Sequence, residues 1–177
     1  MFVNREEELA FLEKHYRSGR AELFVLYGRR RVGKTELLRV FCQDKLHVFF
    51  IATTSSDESQ LARFSEQILA FQGLSSSGLV FPSWDNAFEQ MTALPGRPVV
   101  VLDEFTYLTG GNQAIPSILQ KAWDTTLKHS DVFLILCGSY VGMMEREVLN
   151  YGAPLYGRRT GSWRLDPLDL AAAAQFT

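Results

Sequence analysis

One eight-residue run constrains this chain more than any other feature. Gly28, Arg29, Arg30, Arg31, Val32, Gly33, Lys34 and Thr35 spell G-x-x-x-x-G-K-[ST]. An apolar run, Leu23 to Tyr27, leads into it, and a helical pattern, Glu36 to Phe41, leads out of it. That order predicts a strand, a tight loop and a helix whose N-terminus closes the loop. Backbone N–H groups of such a loop converge on phosphate oxygens, and the helix start adds partial positive charge. Gly28 and Gly33 permit a close approach and a backbone geometry that a Cβ would block. Lys34 is placed to reach β- and γ-phosphates, and the Thr35 hydroxyl to ligate Mg²⁺; Arg29 to Val32 and Glu36 complete the candidate contact set. The run predicts binding of a nucleoside triphosphate.

Bulk properties narrow the setting. At 177 residues, 46% hydrophobic and 21% charged, the chain reads as one globular domain, residues 1–177, with enough length for a sizeable core. A net charge of −2 leaves no overall footprint for nucleic acid, although local patches remain open. No apolar stretch approaches the ~20 residues of a membrane helix. The charged N-terminus, with Arg5, Glu6, Glu7 and Glu8, does not read as a signal peptide. A cytoplasmic protein without a membrane partner is expected. Cys42 and Cys137 lack C-x-x-C or metal-ligand spacing and read as buried free thiols. His15, His47 and His129 are too scattered to suggest a metal cluster.

Along the chain, strands and helices alternate. Asn4 with Glu7 three residues on resembles a capping box, and Leu9, Leu12 and Tyr16 come next at helical spacing, predicting a helix over about 5–18 closed by Gly19. Strand runs are expected at about 22–27, 47–52, 98–103 and 132–137, with a last one near Trp163 to Leu165. Helices are expected at about 34–44, after the polar turn at 53–59 with Leu61, Phe64, Ile68 and Leu69 on one face, after Ser83, and at about 116–129. Residues 73–78 and 150–161 read as loops, with a short helix near Met143 to Val148 between strand and second loop. The strands are continuously apolar, which predicts an α/β fold with a parallel sheet covered on both faces.

The remaining chemistry gathers at strand ends. Asp103 and Glu104 close the run Val99 to Leu102, a Walker B arrangement downstream of the phosphate loop. Asp103 is placed to hold Mg²⁺ beside Thr35, and Glu104 to orient and polarise an attacking water. In folds with such a catalytic carboxylate, a further strand lies between the loop strand and the Asp strand. Ser139, ending the run Leu134 to Gly138, is the candidate sensor on that inserted strand; an N-cap for the segment from Tyr140 is the competing role. Arg158 and Arg159 are candidates for stabilising transition-state charge, in their own chain or in a neighbouring subunit, against a plain solvated basic loop. Arg29, Arg30 and Arg31 occupy the variable loop positions and read either as nucleotide or subunit contacts or as an exposed patch.

These motifs, with Phe2 to Leu9 and Leu155 to Thr160, occur in the order seen in archaeal-type ATPases. The chain resembles the STAND group of the AAA+ superfamily of P-loop NTPases over nearly its whole length. The resemblance implies a three-layer sandwich with five parallel strands in the order 5-1-4-3-2. It implies ATP and Mg²⁺ as ligands and places the Asn4, Arg5, Glu6 segment near the adenine, although Asn4 stands where Gly is common. Preference for ATP over GTP rests on the same resemblance, since no guanine-selecting Asn-Lys-x-Asp run occurs. Residues 171–177 fall where a helical lid begins in the family, so a nucleotide-binding core without lid or C-terminal domains is expected. Three readings are open: a Mg-dependent ATPase of low intrinsic rate, a nucleotide-binding switch or structural module with negligible turnover, and a DNA-associated remnant. ATP and ADP, a second copy of the chain and a protein client are the expected partners. Glu104 favours the first reading.

Overall fold

The computed structural model describes residues 4–74 and 78–168. Five strands, β1 (Glu22–Tyr27), β2 (His47–Ile51), β3 (Val99–Asp103), β4 (Phe133–Gly138) and β5 (Gly161–Arg164), form one sheet. Every pairing is parallel and the order is β2-β3-β4-β1-β5, the predicted order seen from its other edge. β4 lies between β1 and β3, pairing Tyr27 with Gly138 and Leu102 with Leu136. The phosphate loop, the acidic pair and Ser139 therefore leave the sheet at the same carboxyl edge, on three neighbouring strands.

Seven helices among the described residues cover the sheet: α1 (Glu6–Tyr16), α2 (Lys34–Cys42), α3 (Asp57–Phe71), α4 (Trp84–Gln90), α5 (Phe105–Gly111), α6 (Ile115–Thr125) and α7 (Val141–Met144). Alternate strand residues feed two separate cores. Phe24, Leu26, Val101, Phe133 and Ile135 pack against Leu12 of α1 and Leu37, Leu38 and Phe41 of α2. Leu23, Val25, Phe50, Leu102, Leu134 and Leu136 pack against Phe64, Phe88, Leu108 and Leu119 of α3 to α6. Each such side chain, removed from water, contributes about 1.5–3 kcal/mol. The interior strands β3 and β4 are buried along their whole length, whereas β2 and β5 are edges and partly exposed. Continuous apolar runs at β3 and β4 result from burial on both faces.

The local signals mostly act as read. Ser56 and Ser83 cap α3 and α4 by accepting from the N–H groups of Ser59 and Asn86. Cys42 and Cys137 are buried and free, and burial pushes the Cys42 thiol up to about 12. Several boundaries differ. Asn4 does not cap α1: its backbone is left-handed, φ 59°, Arg5 occupies the N-cap without a side-chain bond, and the helix ends at Tyr16. The acids Glu6, Glu7 and Glu8 instead complement the helix dipole from the first turn. The segment 116–129 divides into α6 and a 3₁₀ turn, Leu127–His129, because Thr125 and Thr126 bond back to the carbonyls of Lys121 and Ala122. α5 is not predicted by the periodicity; with seven residues and two closing glycines it carries little periodic signal. Residues 75–77 of the expected loop and 171–177 at the expected lid start lie outside the described residues.

Candidate functional site

The site begins where β1 ends. The N–H of Leu165, just past β5, donates to the Tyr27 carbonyl at 2.7 Å, drawing the two strand ends together. Gly28, φ 155°, lies against that crossing, and a Cβ on it would stand 2.2 Å from the Leu165 carbonyl oxygen. Its lack of a side chain is thus a packing requirement. Gly33, φ 91°, is the N-cap of α2 and meets nothing within 4 Å, so its requirement is conformational alone. Lys34 opens α2 and is buried; its Nζ donates to the carbonyls of Gly28 at 2.9 Å and Arg29 at 2.6 Å. Burial holds the Lys34 ammonium below its ordinary pKa, opposed in part by Cys137, Glu104 and Asp103 nearby.

The acids meet this loop directly. The Thr35 hydroxyl donates to Asp103 Oδ2 at 2.6 Å, and Asp103 Oδ1 accepts from the N–H of Glu104 at 2.9 Å. Asp103 is buried at the end of β3. Glu104 has a left-handed backbone, φ 53°, which turns the chain from β3 into α5. A non-glycine residue held there stores backbone strain, a feature that concentrates at functional sites. Glu104 Oε1 accepts from the Ser139 hydroxyl at 2.9 Å, while Oε2 is buried without a hydrogen-bond partner among the described residues. Ser139 therefore does not cap the helix after it, whose N-cap, Tyr140, makes no side-chain cap bond. A cavity of about 600 Å³ opens over these groups, lined by Arg30, Arg31, Gly33, Lys34, Thr35, Glu36, Glu104, Tyr107 and Ser139. Its donor set, a hydroxyl and a carboxylate beside a buried ammonium and loop N–H groups, fits a divalent cation with phosphate oxygens.

Other sequence candidates stand elsewhere. Arg5 is buried, and its guanidinium donates to Glu8 at 2.7 Å and to the carbonyls of Val32 at 3.1 Å and Asp166 at 2.7 Å. It pins the N-terminal segment and the segment after β5 to the phosphate loop, and neither Asn4 nor Arg5 lines the cavity. Val32 packs with the α1–α2 core, and Arg29 faces an adjoining groove shared with Tyr140, Arg146 and Arg164. Arg158 and Arg159 are not brought to the phosphate site in their own chain. Arg158 forks onto Asp124 at 2.8 to 3.1 Å, and Arg159 donates to the Leu149 carbonyl. Both precede β5, which enters the sheet where Thr160 N–H bonds the Leu23 carbonyl, at the amino edge and opposite the loop. In a parallel sheet the residues entering a strand and those leaving it lie on opposite edges, and motif order along the chain does not record this. Tyr107 was missed. It lies within the first turn of α5, after Glu104, and only recognition of that helix would have exposed it.

A parallel sheet of this order, with a phosphate loop after β1 and an acidic pair at the end of β3, defines a P-loop ATPase core. The profile of the ATPase domain predominantly from Archaea matches residues 2–177, and the chain belongs to that family. An uncharacterised protein of Methanocaldococcus jannaschii is 31% identical over 176 residues, covering 99% of this chain and 38% of the relative. An uncharacterised ATP-binding protein of the same organism is 58% identical over 45 residues, 25% of this chain and 76% of that protein. Among solved structures, the Walker-type ATPase of Pyrococcus abyssi superposes with a TM-score of 0.74 at 26% identity, covering 99% of this chain and 57% of that one. The Aeropyrum pernix Orc1 protein, solved in complex with DNA, superposes at 0.68 with 17% identity over 99% of this chain and 48% of its own, a likeness of fold alone. The chain thus spans 38% of the first relative's length and 57% of the Pyrococcus protein's. Among the described residues no helix is long and apolar enough to cross a membrane.

Proposed function

We propose that this chain is the catalytic core of a Mg²⁺-dependent ATPase of the STAND group within the AAA+ superfamily, working in the cytoplasm. One observation carries the reading: Thr35 and Asp103 face each other at 2.6 Å, beside a half-buried Glu104 carboxylate held by Ser139. Thr35 and Asp103 are the residues that would hold Mg²⁺, and the ion would supply positive charge against the negative charge of the polyphosphate. Lys34 exchanges its two neutral carbonyl acceptors for ionised phosphate oxygens, a pairing of opposite charges. Glu104 Oε2, lacking a partner among the described residues, is the atom to accept a hydrogen bond from the attacking water, and Ser139 keeps that carboxylate oriented. Asn4 and Arg5 enter as the segment beside the adenine, with Arg5 positioning the loop through Val32. Residues 1–177 then form a single nucleotide-binding domain, partnered by ATP and ADP and by a protein client or further copies of the chain.

The test pairs two variants. Lys34→Ala removes charged hydrogen bonds worth about 1.5–3 kcal/mol, so ATP affinity measured by calorimetry should fall at least ~10-fold. Glu104→Gln keeps the side chain's shape but loses its basicity. It should bind Mg-ATP nearly as the parent does while phosphate release drops by ~10²-fold or more. Unchanged affinity in the first variant, or unchanged turnover in the second, would defeat the corresponding assignment.

A further inference from the structure

Arg30 lines the cavity, and the proposed chemistry leaves it unused. It occupies the third position of the phosphate loop, yet its guanidinium turns inward over the cavity mouth. Its Nη2 donates to the phenol oxygens of Tyr107 at 2.5 Å and Tyr140 at 2.6 Å, and the guanidinium carbon stands 4.9 Å above the Tyr140 ring. No carboxylate pairs with Arg30 among the described residues. Burial does not account for the arrangement, since Arg30 and Tyr140 are both exposed and the bonds form at the surface. The tyrosine positions are informative. Tyr107 lies within the first turn after Glu104, and Tyr140 is the next residue after Ser139. Arg30 thus ties the phosphate loop to the immediate neighbours of the water-activating carboxylate and of the hydroxyl that orients it.

We propose that Arg30 is the residue by which this site tells a nucleoside triphosphate from a diphosphate, parked on Tyr107 and Tyr140 until a terminal phosphate draws it in. The inference rests on the nucleotide-binding reading above. A cation held by two neutral phenols is in a metastable position for a site that receives polyphosphate. Both acceptors are phenols, uncharged at neutral pH, and the hydrogen bond between them holds Tyr107 further above its ordinary pKa. A phosphate oxygen is an ionised acceptor that an arginine fork grips in two places, adding an opposite charge that the phenols lack. Lys34 approaches the phosphates from the opposite end of the loop, beside the Gly28 and Arg29 carbonyls and away from Ser139 and Tyr140, and Arg158 and Arg159 lie on the far edge of the sheet. Arg30 and Arg31 are the arginines that line the cavity, and Arg30 is the one bonded beside Glu104 and Ser139. Its release also has a structural consequence. Once Arg30 leaves, α5 and the segment from Tyr140 both lose their tie to the phosphate loop, so the presence of the terminal phosphate is reported to both.

The two sides of the switch give opposite mutational signs. Calorimetry on the full chain with Mg²⁺, using ADP and a non-hydrolysable ATP analogue, separates them. Arg30→Ala should weaken the triphosphate analogue ~10-fold or more while moving ADP less than about twofold. Arg30→Lys, which keeps the charge and loses the fork, should fall between parent and alanine variant. The double variant Tyr107→Phe with Tyr140→Phe removes the competing acceptors and should tighten the analogue severalfold, again without moving ADP. Thermal melts of each variant confirm folding before titration. Arg30→Ala lowering both ligands equally, or neither, overturns the proposal, as does a tyrosine double variant that weakens the analogue. A parent chain binding neither nucleotide would instead overturn the nucleotide reading itself, before any variant is compared.

Discussion

Gly28→Ala isolates the contact on which the phosphate loop is built. An added Cβ would stand 2.2 Å from the Leu165 carbonyl oxygen, 3.2 Å from its carbon and 3.4 Å from its nitrogen, all backbone atoms. That carbonyl has to retreat by about 1 Å to reach ordinary van der Waals separation. The retreat carries Leu165 N–H with it and breaks or stretches its 2.7 Å bond to the Tyr27 carbonyl. Overpacking costs about 1–3 kcal/mol, the hydrogen bond about 0.5–1.5, and a non-glycine residue at φ 155° about 1–3. Relaxation shares these costs, so a total of about 3–5 kcal/mol is expected, or roughly 6–20 °C in Tm for a chain of this size. Gly33→Ala is the internal control. It has the same residue change and a left-handed φ of 91°, but nothing lies within 4 Å, so strain of about 1–3 kcal/mol is the whole cost. Urea unfolding of both variants against the parent measures the difference. A Gly28 variant no less stable than the Gly33 variant would refute the argument that the strand end after β5 sets the glycine.

Two further outcomes concern the far edge of the sheet. Arg158→Ala should leave nucleotide affinity unchanged and reduce stability by at most about 1 kcal/mol, because its partner Asp124 is a surface carboxylate; an affinity loss in dilute protein would contradict its placement at the amino edge. Burial pushes the Glu22 carboxyl up, but bonds from Thr160, Ser18 and His15 outweigh it and hold the group below its ordinary 4.5. A depressed carboxylate stabilises the fold fully above the unfolded value and progressively less as pH falls through the folded one. The parent should therefore lose stability below about pH 4.5 more steeply than Glu22→Gln in urea titrations from about pH 7 to 3, and parallel curves would remove Glu22 as a contributor.

What this sequence determined by itself is local or periodic. The strand, loop and helix around Gly28 to Thr35 were legible because the glycines, the lysine and the flanking apolar runs act within a few residues of one another. Buried parallel strands were legible because burial on both faces leaves no polar position, as in Val99 to Leu102 and Phe133 to Cys137. Asp103, Glu104 and Ser139 were placed correctly at strand ends for the same reason. α5 escaped because seven residues with two glycines hold too little pattern, and with it went Tyr107. Asn4 failed as a cap because Arg5 is anchored to Val32 and Asp166, partners that lie far along the chain. Only the tertiary structure decided which arginines lie at the cavity. Arg158 and Arg159 and the loop arginines look alike in sequence, but the direction in which β5 enters the sheet sends the first pair to the edge opposite the phosphate loop. The packing of α5 against β4 brings Tyr107 and Tyr140 under Arg30. Edge, direction and neighbour are properties of the sheet as a whole, and no window of sequence contains them.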